Sequence, residues 1–247
     1  MLGGYAATAI TALTAQNTLG VFGIEPVSAD FVALQMEAVL TDIGADAIKI
    51  GMLGSPANVT MVAATCRRLA SSVPIVLDPV MVAKGGALLL EPAAARALAG
   101  ELVPMAALLT PNVPEAEALS GERVTDEESL LRVASRLLLL GPAAVLLKGG
   151  HLPGDRVIDC LVTADGSVER FESPRIQTTS THGTGCTLAS AIAAGIAEGL
   201  TLIDSVARAR HYVFEAIRTA PGLGAGYGPL NHSHPLVTAE LARARAN

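Results

Sequence analysis

Tryptophan is absent and aromatic residues make up only 3% of the chain, so any core must be built from Ala, Leu, Val and Ile. Long apolar runs are missing too. Stretches such as residues 137–140 fall far short of the roughly 20 residues a membrane helix needs. There is no surplus of positive charge: 17 Lys and Arg stand against 23 Asp and Glu, for a formal net charge of −6. That balance argues against a nucleic-acid binder, whose affinity comes largely from counterion release by cationic side chains. Cysteine is scarce, and Cys66, Cys160 and Cys186 form neither a C-x-x-C pair nor a zinc-ligand spacing. They read as reduced thiols of a soluble cytoplasmic protein. The N-terminus has no Lys/Arg-led leader with a cleavage site. Neither a G-x-x-x-x-G-K-[ST] run nor a G-x-G-x-x-G fingerprint occurs, which disfavours a P-loop NTPase and a Rossmann dehydrogenase.

What is present is 247 residues, 51% of them hydrophobic, enough to bury one substantial α/β core. Short apolar runs at 8–14, 47–50, 75–77, 107–109 and 144–147 read as buried parallel strands. Segments with helical spacing lie between them. Ser28 is placed to cap a helix with Phe31, Leu34, Val39 and Ile43 on one face. Ser55 precedes a second helix, and Thr125 with Glu128 forms a capping box for a third that ends near Gly141. Strand–helix alternation predicts an α/β fold with a mostly parallel central sheet and helices on both faces. Asp165-Gly166 between two β-prone runs predicts an antiparallel hairpin toward one edge. Two Ala-rich helices, 186–198 and 202–219, follow, the second started by Thr201 and Asp204. No repeat, low-complexity tract or linker divides the chain, so residues 1–247 read as one domain; the tail after Pro221 is not placed.

Open parallel sheets bind ligands at the carboxyl ends of their strands. Four runs here end in polar or glycine-rich residues: at Gly51-Met52, at Asp78-Pro79, at Thr110-Pro111-Asn112-Val113-Pro114-Glu115, and at Lys148-Gly149-Gly150-His151. Thr181-His182-Gly183-Thr184-Gly185-Cys186 opens a helix, whose N-terminus attracts phosphate through free amides and the helix dipole. There the thiol of Cys186 is expected to have a lowered pKa and to accept a proton from an attacking hydroxyl. The plainer alternative is a tight loop with Cys186 as a small packing residue. Asn112 and Glu115 have the oxygen donors of a hydrated Mg²⁺ site, or are simply a helix cap and a first-turn acid. Asp78 is a phosphate-side acid or a turn former, and Lys148 a phosphate-neutralising cation or an ordinary exposed lysine.

Taken together, Thr11-Ala12-Leu13-Thr14-Ala15-Gln16-Asn17-Thr18 and segments 49–54, 78–84, 110–115, 147–151 and 182–186 resemble the hydroxymethylpyrimidine (phosphate) kinases, a branch of the ribokinase-like family, over nearly the whole chain. The resemblance implies ATP-dependent phosphorylation of 4-amino-5-hydroxymethyl-2-methylpyrimidine, its monophosphate, or both. Gly183, Thr184, Gly185 and Cys186 would form the anion hole, with Cys186 as base. Asn112 and Glu115 would be the magnesium-associated pair, Asp78 and Lys148 would lie on the ATP phosphate side, and Gln16 and Met52 would contact the pyrimidine. A homodimer is implied, and neither nucleic acid nor membrane is expected as a partner. Family members place a strand, a Gly-Ser-Asp-x-Ser-Gly-Gly-type loop and a helix ahead of the segment that starts here at Met1, so part of the substrate half is expected to be missing. The readings left open are pyridoxal or pyridoxine kinase activity, a nucleotide-binding protein without turnover, and a covalent thiol catalyst built on Cys186 and His182.

Overall fold

A computed structural model of the chain describes residues 1–81 and 91–236. The chain begins with a hairpin of β1 (Ala12–Asn17) and β2 (Gly20–Pro26), followed by helix α1 (Ala29–Asp42). Strand β3 (Ile48–Ile50), helix α2 (Pro56–Leu69), strand β4 (Ile75–Leu77) and helix α3 (Pro92–Ala97) come next. Then come β5 (Leu108–Leu109), α4 (Val113–Ser120), α5 (Glu127–Leu138) and β6 (Ala144–Lys148). The hairpin β7 (Arg156–Thr163) and β8 (Val168–Pro174) precedes helices α6 (Thr184–Ala197) and α7 (Leu202–Arg218).

Strands β3 to β8 form one six-stranded sheet in chain order. The first four are parallel, and β7 and β8 are antiparallel. The period-two alternation of a strand explains why the central runs are wholly apolar. Ile75 and Leu77 of β4 and Val145 and Leu147 of β6 face one core, shared with α2, α4 and α5. Val76, Ala144 and Leu146 face the other, shared with α6 and α7. The expected ribokinase-like α/β arrangement, with helices on both faces and a hairpin at one edge, is the one observed.

Three local expectations are corrected. The run at 8–14 is not a buried strand of the main sheet; the strand is Ala12–Asn17, paired antiparallel with β2 in a separate two-stranded sheet. With no second layer over it, Leu13 is 60% and Phe22 70% exposed. In α1 the buried residues are Val32 and Met36, with Leu40 packed against the core, while Phe31, Leu34 and Ile43 are exposed. Positions 32, 36 and 40 form a true i, i+4 row, which 31, 34, 39 and 43 do not. Ser28 is the N-cap residue but its side chain makes no capping bond. The third helix is capped one residue later than expected, by Asp126 with Ser129, because the Asp126 carboxylate reaches the Ser129 amide at 2.8 Å. Ser55 and Thr201 cap as expected, accepting from the Asn58 and Asp204 amides. The tail after Pro221 returns to the body: Tyr227 N–H donates to the Thr18 carbonyl, and Asn231 N–H to that of Ala216.

Candidate active site

The carboxyl ends of β3 to β6 and the first turn of α6 converge on Asp78. This carboxylate is only 1% exposed. Its Oδ1 accepts from Lys148 Nζ at 2.8 Å and from Thr110 Oγ1 at 3.2 Å. Three separate strand ends therefore meet at one oxygen. Lys148 is held there by its backbone, since its amide donates to the Pro111 carbonyl and the next amide, Gly149, donates to Asp159 Oδ1 at 2.8 Å. Asp159 is in turn paired with Arg210 at 2.8 Å. Burial works against the charge of Lys148, but Asp78 and Glu115 outweigh it and hold the ammonium above its usual range.

Asn112 and Glu115 close a full capping box at the start of α4: the Glu115 amide donates to Asn112 Oδ1 at 2.9 Å, and the Asn112 amide to Glu115 Oε2 at 2.8 Å. The capping alternative is thus realised, yet it places the Glu115 carboxyl within the field of Lys148 and Asp78. Burial lifts that carboxyl from 4.5 to about 7; Lys148 opposes the rise and Asp78 adds to it.

Helix α6 starts two residues earlier than expected, with Gly183 as its N-cap at φ +76°, a conformation that favours glycine. Thr184 Oγ1 donates to the Thr181 carbonyl at 2.7 Å, tying the loop down. Gly185 lies against the buried ion pair: a Cβ there would be 3.2 Å from Lys148 Nζ and 3.9 Å from Asp78 Oδ2. Among the described residues the Gly185 and Cys186 amides have no acceptor, so α6 presents them unpaired beside Lys148.

The expected low pKa of Cys186 is corrected. Cys186 is exposed at the surface, yet the protein packed around the sulfur partly desolvates it and raises its pKa, and the negative charge of Asp78 adds to this; Lys49 and Lys148 pull the other way without prevailing. Cys186 rests as a thiol in the field of Asp78.

Gln16, on β1, lines a cleft of about 370 Å³ with Thr14, Asn17, Thr18, His182, Tyr227 and Pro229. His182 lies four residues before Cys186, so this cleft abuts the α6 turn. Met52 follows β3, and its carbonyl accepts from Thr11 Oγ1 at 2.7 Å, which ties the hairpin to the same strand end. Residues 82–84 of the 78–84 segment lie outside the described residues. Thr110 as partner of Asp78, and Tyr227 in the cleft wall, were not singled out from the sequence. Thr110 carried a signal, as a hydroxyl at the end of an apolar run; Tyr227 carried none.

The phosphomethylpyrimidine kinase family model matches residues 1–231. The chain belongs to the phosphomethylpyrimidine kinase family. It is therefore a small-molecule kinase by descent. A hydroxymethylpyrimidine/phosphomethylpyrimidine kinase of Rhizobium meliloti is 45% identical over 94% of this chain and 88% of its own length. The thiamine biosynthesis bifunctional protein ThiED of Geobacter sulfurreducens is 49% identical over 99% of this chain, which spans only 49% of that longer relative. Among solved structures, pyridoxal kinase from Staphylococcus aureus in complex with AMP-PCP and pyridoxal matches with a TM-score of 0.84 at 29% identity, covering 94% of this chain and 83% of that one.

Proposed function

We propose that the chain catalyses ATP-dependent phosphorylation of 4-amino-5-hydroxymethyl-2-methylpyrimidine and of its monophosphate. The observation that carries this reading is the buried Asp78–Lys148 pair set against the free amides of Gly185 and Cys186. Such preorganised donors stabilise the charge on a transferring phosphoryl group. The amides and Lys148 hold phosphate oxygens, and Thr184 fixes the loop that presents them. Gln16 hydrogen-bonds the pyrimidine from the hairpin, and Met52 packs on it. Cys186 takes the proton of the hydroxymethyl oxygen as its own proton passes to Asp78, which leaves the attacking oxygen in line with the γ-phosphorus.

The donor set fits a hydrated Mg²⁺. Glu115 brings a hard carboxylate beside Asp78, whereas Asn112 Oδ1 already accepts from the Glu115 amide, which favours contact through water over direct ligation. When bound, the ion neutralises phosphate charge. Glu115 near neutrality is then poised to ionise as a cation arrives.

The exposed apolar residues Phe31, Leu34, Leu13 and Phe22 favour self-association as a homodimer. All three cysteines are unpaired, in keeping with a reducing cytoplasm. Among the described residues no helix is long and apolar enough to cross a membrane.

The second reading is pyridoxal phosphorylation, favoured by the likeness to the S. aureus enzyme. Both acceptors are flat heteroaromatics with a hydroxymethyl group. Side-by-side kcat/KM values decide between them: a higher value for the pyrimidine is expected, and a higher value for pyridoxal would replace the first reading with the second.

A further inference from the structure

The chain has three lysines, Lys49, Lys84 and Lys148; all its other basic residues are arginine. Lys148 is paired with Asp78, and Lys84 lies outside the described residues. Lys49, the middle residue of β3, makes no ion pair among the described residues. Its ammonium folds back over the strand end, where a Cβ on Gly51 would lie only 2.4 Å from Nζ and 3.6 Å from Cε. Glycine at 51 leaves the room this fold-back needs. Helix α6 packs against both β3 and β4; the Asp78 amide donates to the Ile50 carbonyl at 2.9 Å, and a Cβ on Gly185 would lie 3.9 Å from Asp78 Oδ2, so the strand end under the Lys49 ammonium adjoins Asp78 at the turn that carries Cys186. The charged groups acting on that thiol are Lys49 from β3, Asp78 after β4 and Lys148 at the end of β6. Glu115 of α4 acts on Lys148. Lys49 favours the thiolate of Cys186 and Asp78 opposes it.

We infer that Lys49 is a positioning residue for the proton step: its unpaired ammonium compensates the negative charge that the Cys186 sulfur carries in passing the acceptor's proton onward. The inference rests on the reading of Cys186 as the proton acceptor. A lysine suits the task because its charge is a compact point on a flexible stem that folds over Gly51, whereas a guanidinium is broad and planar. With Asp78 neutralised by Lys148, the sulfur would otherwise have one cation already committed elsewhere. Lys49 supplies a second, which makes no ion pair among the described residues.

The test is the pH dependence of Cys186 alkylation by iodoacetamide in the full-length protein, followed by mass spectrometry. Cys66 and Cys160 are buried, with thiols pushed up to about 11, so modification at milder pH reports on Cys186. Lys49→Met is expected to move the profile up by about one pH unit, a roughly tenfold loss of rate at fixed pH below the midpoint. Lys49→Arg, which keeps the charge, should recover most of that loss; Lys49→Gln serves if the Met variant does not fold. A Lys49→Met or Lys49→Gln profile superimposable on the wild type overturns the inference. So does an Arg variant shifted as far as the neutral ones, since bulk and not charge would then be responsible. Kinetics separate this from the underlying reading. Full turnover by Cys186→Ser with a shifted Lys49→Met alkylation profile would sink the base assignment while leaving the charge coupling intact.

Discussion

Cys186→Ala should discriminate between the two acceptors. The hydroxymethyl group enters as an alcohol and must lose a proton, so it needs a base. The monophosphate enters with its attacking oxygen already ionised above a second pKa of about 6, and needs none. General-base assistance is worth about 10²- to 10⁴-fold, or roughly 3–5 kcal/mol of barrier. The phosphate end of the site does not depend on the sulfur: Lys148 and Asp78 remain paired at 2.8 Å, and the α6 amides are backbone groups. At about pH 8 the variant should thus lose on the order of 10²-fold or more in kcat with the alcohol, and only a few-fold with the monophosphate. The KM for ATP should be nearly unchanged. Initial rates of ADP release, checked by chromatography of the phosphorylated pyrimidines, measure both steps on one preparation. Equal losses on the two acceptors would refute the reasoning, because the sulfur would then serve the phosphoryl group and not the proton. No loss on either would remove Cys186 from the mechanism.

Glu115→Gln should change the pH dependence of stability. A carboxyl whose pKa is about 7 folded and 4.5 by default binds its proton more tightly in the native state. Its effect is nil below about pH 4.5 and grows into a penalty as pH rises through 7. The full penalty is about 3 kcal/mol, and Gln still closes the capping box. Thermal denaturation should show the variant matching the wild type near pH 4 and exceeding it near pH 8; parallel curves would contradict the assignment. Gly185→Ala should gain up to about 1 kcal/mol of helix stability, while its Cβ, 3.2 Å from Lys148 Nζ, displaces the ammonium. A kcat/KM lower on the order of 10²-fold with an undiminished Tm is expected, and unchanged kinetics would deny Lys148 its place.

The central strands are legible because burial on both faces leaves their interiors no polar positions, as in Ile75–Leu77 and residues 144–147. Their polar endings marked the edge where the site lies. The hairpin was misread because an apolar run says nothing about whether a second layer covers it; Leu13 and Phe22 stand in the open. The Asp78–Lys148 bond joins residues 70 positions apart, and no local pattern announces it. The thiol of Cys186 illustrates the same limit. Its position at a helix start argues for a low pKa, but desolvation, with Asp78 adding to it, decides the direction, and both are products of tertiary structure. For Asn112 and Glu115 the two alternatives proved compatible, since the capping box itself delivers the carboxyl to the Lys148 field.

The proposed activity depends most on Lys148, which, bound to buried Asp78 beside the α6 turn, holds the phosphoryl group in transit. The most direct measurement is pyrimidine-dependent ADP formation by wild type and by Lys148→Met, run side by side with the phosphorylated product quantified. The wild type should form one phosphorylated pyrimidine per ADP, and the variant should be slower on the order of 10²-fold or more. Equal turnover by the two proteins, or no pyrimidine-dependent ADP from the wild type, would contradict it.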